Sequence, residues 1–237
     1  MSYTIRAYTP ADETTWLRCR VLSFLDTPYF DDVLRTKPVS ATPGPDLVAV
    51  DASGAVVAIM DVGIEGELAT VDTVAVHPDH QRRGLGRRLL REACSRARQL
   101  GATTLDAWTR DHPGTLAWYR DMGFTESSHY LHVYANHYTA PEEPVRAVEQ
   151  AGDGLRPIAA FLHARLADEE RLRGEYTRVH VCRRFALPLS GPGSGLAARP
   201  CPAAPATRCG PAPTGVAAGG PAGRGWSSTC PDPHNPE

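Results

Sequence analysis

The first apolar rhythm along the chain is short. Thr4 to Ala7 alternates modestly and leads into Thr9-Pro10-Ala11-Asp12, where Thr9 can cap a helix whose first turn holds Pro10, Asp12 and Glu13. Trp16, Leu17, Arg20, Val21, Phe24 and Leu25 recur at helical spacing and predict a helix to about Leu25. A short helical or irregular piece, Tyr29 to Arg35, and a proline-rich loop ending at Pro45 follow. Runs at 46–51 and 55–62, parted by the turn signal Ala52-Ser53-Gly54, predict a hairpin, and Glu65-Gly66 turns the chain into a strand from Leu68 to Val76. After a basic, glycine-bearing loop, apolar positions 85, 89, 90, 93, 94, 97 and 100 mark a strong helix from Gly86 to Leu100, closed by Gly101. Thr104 to Thr109 reads as a strand, Pro113 to Met122 as a helix and Phe124 to about Ala135 as a strand. Ile158, Phe161, Leu162, Leu166 and Leu172 predict a helix opening at Pro157 and ending at Gly174, and Val179 to Leu187 alternates as a last strand. Hairpins followed by strand–helix–strand units predict an α/β (α+β) fold, with a mixed, mostly antiparallel central sheet of six to seven strands flanked by helices.

Composition divides the chain. From Pro188 to Glu237 there are 11 of the 21 prolines and 9 of the 21 glycines, with one Trp, two Leu, one Val and no Ile, Phe or Tyr. Such a stretch cannot bury enough apolar surface to offset its ordering entropy. The expectation is a folded domain over 1–187 and a disordered Pro/Gly/Ala-rich tail over 188–237. A formal net charge of −2 gives no cationic field for nucleic acid, so none is expected as a partner. Cys19, Cys94, Cys182, Cys201, Cys209 and Cys230 form no CxxC pair, which fits isolated thiols in a reducing compartment. The N-terminal MSYTIRAYTPADE lacks a signal-peptide pattern and no run approaches 18 apolar residues, so the expected location is cytoplasmic, with no membrane contact.

The most informative segment is Val74-Ala75-Val76-His77-Pro78-Asp79-His80-Gln81-Arg82-Arg83-Gly84-Leu85-Gly86, a strand that breaks into a Gly-rich loop opening a long helix. Backbone N–H groups at a helix N-terminus point outward unpaired, and with the helix dipole they make an anion site. Gly84 and Gly86 keep side chains away from those amides, and Arg82, Arg83 and Arg87 add positive charge. The ligand implied carries phosphate. A P-loop would need a Lys that is absent, and a dinucleotide fingerprint a third Gly where Leu89 stands.

Gln81-Arg82-Arg83-Gly84-Leu85-Gly86 resembles the [Q/R]-x-x-G-x-[G/A] phosphate loop of the GNAT N-acetyltransferase superfamily, and it follows a strand ending near V-x-P. A second signature, Tyr four residues before Gly-Phe, stands at Tyr119 and Gly123-Phe124. The resemblance implies an acyl-CoA core over about 4–135, with a C-terminal helix and strand over about 156–187. It also implies transfer of an acetyl group from acetyl-CoA to a primary amine of a small molecule or peptide, by direct attack in a ternary complex. Val74, Ala75 and Val76 would pair with the pantetheine arm where their strand splays from the next, and Gln81 to Arg87 would hold the pyrophosphate. Tyr119 would protonate the departing thiolate. Members are often homodimers, so a homodimer is implied as well. A non-catalytic acyl-CoA-binding or sensing domain is the alternative that the loop supports equally.

An alkylammonium must lose a proton before it attacks. Asp72 is the first choice of base, since simple alternation puts it on the face of Val74 and Val76, with Glu65 and Glu67 as weaker choices. His112 stands seven residues before Tyr119, where the superfamily often has Asn. The acidic, aromatic stretch Asp26 to Asp32 reads either as the lining of a cationic-amine pocket or as a solvated loop. His77 and His80 mimic metal spacing without a completing carboxylate or Cys pair, so no metal is expected.

Overall fold

The computed structural model describes residues 2–40 and 42–189. The strands are β1 (Thr4–Ala7), β2 (Asp46–Val50), β3 (Val56–Glu65), β4 (Leu68–Val76), β5 (Thr104–Arg110), β6 (Thr125–Asn136), β7 (Ala159–Ala164) and β8 (Arg178–Pro188). The helices are α1 (Glu13–Phe24), α2 (Leu85–Gln99), α3 (Pro113–Asp121), α4 (Glu143–Ala147) and α5 (Glu169–Glu175). One sheet takes the order β1-β2-β3-β4-β5-β8-β6-β7. Among the described residues only the β4–β5 pairing is parallel. The last strand is therefore threaded between β5 and β6, and joins the two halves of the sheet.

Two layers of helix enclose it. On α1 the buried positions are Trp16, Cys19, Arg20, Ser23 and Phe24, the i, i+3, i+4, i+7, i+8 pattern of a single helix face. That face is rotated from the expected stripe, with Cys19 and Ser23 inside and Leu25 exposed; Arg20 is inside in both and meets Asp32 at 3.0 Å. Lys37 ties the following loop to the sheet through Asp46 (2.7 Å) and Asp61 (3.5 Å). On the opposite face α2 buries Leu85, Leu89, Leu90, Ala93, Cys94 and Ala97. There α3 packs beside α2, and α5 sets Leu172 against Leu131, Val133, Val179 and Val181.

The segment after Pro157 departs from expectation. Ala159–Ala164 is a strand, pairing antiparallel with Leu131–Asn136, and helix begins only beyond Leu166. The helical spacing of its apolar residues is real, but β6 would otherwise expose a row of unpaired edge amides and carbonyls. Satisfying that ladder outweighs a propensity difference of a few tenths of a kcal/mol per residue. Among the described residues the sheet accordingly has eight strands instead of six or seven, and Gly174 lies inside α5 without ending it.

The domain also runs past the expected boundary at 187. Pro188 closes β8, and Leu189 is buried, with its amide on the Thr103 carbonyl and its own carbonyl accepting from Arg98 Nε. The remainder of the expected low-complexity tail lies outside the described residues. Cys19, Cys94 and Cys182 are buried and in no disulfide, and burial pushes the first two thiols up to about 12 and about 11. Among the described residues no helix is long and apolar enough to cross a membrane.

Candidate active site

β4 and β5 pair for only four residues, Leu68 to Val71 against Thr104 to Ala107. Beyond that point β4 stays on β3 as far as Val76, while β5 stays on β8 as far as Arg110. The parallel strands thus part into a wedge, whose walls are the stretches 72–76 of β4 and 108–110 of β5, which do not pair with each other. Thr104 donates its amide toward the start of β4, to the Glu67 carbonyl. Alternation puts the Arg110 amide on the same edge, where β4 has already left. Tyr29 takes β4's place there, its phenol oxygen accepting from Arg110 N at 3.1 Å.

A register slip sits at the point of parting. Asp61 pairs with Thr73 but Val62 pairs with Val71, which leaves Asp72 as the extra residue on β4. The bulge corrects the expectation from simple alternation: Asp72 lies on the face of Asp61 and Gly63, its Oδ2 3.4 Å from where a Gly63 side chain would begin, while Val74 and Val76 face the other way. Asp61 was not anticipated. It is 7% exposed, and desolvation raises its pKa to about 7; Lys37 opposes the rise, and the charges of Asp46 and Asp72 add to it. Glu65 and Glu67 stand at the β3–β4 turn, the opposite end of β4 from the wedge.

The loop leaving β4 curls tightly. His77 Nδ1 accepts from Asp79 N, and Gln81 Nε2 donates back to the Val76 carbonyl at 3.2 Å. Arg82 and Gly84 adopt φ of 61° and 73°, two left-handed positions in the tight turn that leads from the extended Gln81 into α2. Gly84 is the N-cap of α2, and a side chain there would meet nothing within 4 Å; what requires glycine is the backbone conformation. Gly86 has a different reason. A Cβ on it would lie 3.4 Å from the Trp118 ring, so its smallness lets α3 dock on α2. Leu85 is buried and anchors the helix start. Arg83 helps to hold the loop, donating to Tyr3 Oη (2.8 Å) and the Asp79 carbonyl (3.1 Å). Arg82 is exposed and Arg87 half-buried.

His112 is the N-cap of α3, its Nδ1 accepting from Thr115 N at 3.4 Å, and burial lowers its pKa and keeps that acceptor neutral. An Asn in its place would accept the same bond. Tyr119 is 1% exposed, stacked on Phe185 at 5.4 Å and edge-on to Trp118 and Phe124. Its ring faces the core, and Trp118 beside it touches the start of α2.

Two acids of the stretch have partners within the chain: Asp31 pairs with Arg178 and Asp32 with Arg20. His77 and His80 bond Asp79 N and Tyr3 Oη respectively, and among the described residues no three His, Cys, Asp or Glu gather in a metal-holding group. Arg110 and Tyr29 were missed as a unit, because 81 residues separate them and only the sheet brings them together.

A wedge between parallel strands, with a helix-capping amide loop at its mouth, is a recognisable arrangement. No curated protein matches the chain in sequence. Among solved structures, the yncA protein of Salmonella typhimurium, solved with its cofactor acetyl-CoA, is 18% identical with a TM-score of 0.50, over 85% of this chain and 100% of that one. The ribosomal-protein-S18-alanine N-acetyltransferase of Escherichia coli is 19% identical with a TM-score of 0.46, over 81% and 97%. The model of the Acetyltransferase (GNAT) family matches residues 7–124, about half of the chain and the part that contains the wedge, the loop and α3. The chain belongs to the GNAT acetyltransferase family.

Proposed function

We propose that this chain is an N-acetyltransferase that moves the acetyl group of acetyl-CoA to a primary amine of a small molecule or peptide by direct attack in a ternary complex. The observation that carries this reading is the wedge: β4 and β5 stop pairing after Val71 and Ala107, beside a loop whose amides and arginines suit a pyrophosphate. In this reading the pantetheine arm adds to the open edge at Val74, Ala75 and Val76. An amide there polarises the thioester carbonyl as the oxyanion forms. The amide groups from Gln81 to Gly86, with Arg82, Arg83 and Arg87 around them, hold the diphosphate, and His112 fixes the start of the neighbouring helix.

The amine enters from the face that carries Asp72. Its proton goes to the Asp72 carboxylate, and Asp61, poised near neutrality beside it, can pass that proton on. The amine nitrogen then bonds to the thioester carbon, the carbon–sulfur bond breaks, and the thiolate takes a proton from Tyr119; the second proton shed by the nitrogen restores the phenol, and the first leaves to solvent.

One observation favours the second reading, a non-catalytic acyl-CoA-binding or sensing domain: Tyr119 is packed in the core at 1% exposure. Calorimetry with coenzyme A, followed by coenzyme A release over a wide amine panel for wild type and Tyr119→Phe, separates the two. Turnover lost in Tyr119→Phe supports the enzyme; tight binding with no turnover across the panel supports the sensor; no binding ends both.

A further inference from the structure

The face opposite α2 and α3 holds charge that acyl transfer does not use. Arg110, at the end of β5 beside the wedge, is 2% exposed. Three of its five N–H groups are hydrogen-bonded among the described residues: Nε to His132 Nδ1 at 3.3 Å, Nη1 to the Pro28 carbonyl at 2.5 Å and Nη2 to Tyr134 Oη. All three acceptors are neutral, and Arg110 forms no ion pair with a carboxylate of the described residues. A guanidinium this deep ordinarily has one, because its desolvation is otherwise uncompensated.

Arg178, on β8, converges on the same place. It donates to the same Pro28 carbonyl (3.0 Å), and its Cζ lies 4.1 Å from the Tyr134 ring, against 5.1 Å for Arg110. Asp31 bonds two of its terminal N–H groups, while its Nε is buried without a hydrogen-bond partner among the described residues. Two guanidiniums around one tyrosine therefore share one carboxylate, a net excess of one positive charge. His132 cannot supply the missing anion, and it registers the imbalance. Burial first, then the positive fields of Arg110, His163, His180 and Arg178, lower its pKa to about 2. Half-buried Trp108 and Tyr134 lie on the same face of the sheet as Arg110 and Arg178.

We propose that Arg110 and Arg178 receive a carboxylate of the acceptor, so that the amine acetylated is an amino acid and not a polyamine or aminoglycoside. The inference rests on the acyl-transfer reading, which puts the acceptor nitrogen at the neighbouring wedge. The planar fork of a guanidinium matches a carboxylate, and one added negative charge balances the cluster where a phosphate dianion would exceed it.

The test is calorimetric titration of the full chain, with and without coenzyme A. The probes are N-acetylglycine, N-acetylalanine and N-acetylphenylalanine, against the same amides lacking the carboxylate: N-methylacetamide, N-ethylacetamide and N-phenethylacetamide. At least one acid is expected to bind about tenfold or more tightly than its partner, the worth of one hydrogen bond to a charged group. Arg178→Gln should bring that ratio to about one and Arg178→Lys should leave a reduced preference, both with coenzyme A affinity unchanged. Equal or undetectable binding of both series, a preference that survives Arg178→Gln, or tighter binding of inorganic phosphate than of any acid would overturn the proposal. Failure to bind coenzyme A, with the carboxylate preference intact, would instead count against acyl transfer alone.

Discussion

His112 shows how one residue reconciles a departure from a family pattern with local physics. The position needs a neutral acceptor for an unpaired amide at the start of α3, and burial keeps the imidazole neutral so that it can serve. His112→Ala is therefore expected to lower the stability measured by urea unfolding by about 1 kcal/mol, with His112→Asn near wild type, since Asn is among the best N-caps. If Asn were as damaging as Ala, the cap would not be what matters. The two loop glycines separate in the same way. Gly84→Ala places a side chain in open space but in a left-handed conformation, at a cost of about 1–2 kcal/mol. Gly86→Val drives a branched side chain into Trp118 and should cost about 1–3 kcal/mol through overpacking, relieved in part by adding Trp118→Leu. No relief in the double variant would mean that the helices do not meet there.

At the level of elements, the parting of β4 from β5 matters more than the strands themselves. Four paired positions hold the strands together and a bulge at Asp72 turns β4 away, so the parting is built into the register. Hydrogen exchange should accordingly be slow in residues 68–71 and faster at those amides of 72–76 that face the wedge, and acetyl-CoA should slow the second group selectively. Uniform protection before ligand is added would show that the strands close on each other in solution. The β4 strand itself was legible to the residue, because alternation and the His77-Pro78 break both mark it. Its bulge was not: two residues opposing one is a property of the pair β3–β4, and neither strand carries it alone. β7 failed for a related reason. Its apolar spacing fits a helix, and only the open edge of β6 makes strand the better solution.

Across the whole molecule, buried titratable groups pull the acid stability in opposite directions. His132, His112 and His163 have folded pKa values below that of an unfolded imidazole, so the unfolded chain takes up protons that the fold refuses. Their contribution is complete above the unfolded value, about 6.5, and is lost as pH falls below it. Asp61 is raised, so its contribution is complete below about 3.9 and is lost as pH rises through about 7. The His132 shift is the larger of the two, and the other histidines add to it. The urea midpoint should therefore fall between pH 6.5 and pH 4, and fall more steeply in Asp61→Asn, where the opposing group is gone. A shallower slope in that variant would contradict the burial of an ionisable Asp61. Depressed Asp12, held by Arg6 and the Thr9 amide and hydroxyl, adds a further loss below pH 4.

Sequence alone determined what local physics controls: the helices that begin and end on caps, the strands that alternate, and the glycine-bearing loop before α2, whose left-handed turn at Gly84 needs no distant partner. Tertiary structure decided everything that needs two distant segments in register. The wedge arises from a pairing that stops, Asp61 and Asp72 share a neighbourhood through a bulge, and Arg110 meets Tyr29, Pro28 and Tyr134 across a sheet. A capping or turn preference acts over a few neighbouring residues, whereas the field at a buried charge is set by whatever the fold brings within a few ångströms. No spacing along the chain encodes that distance.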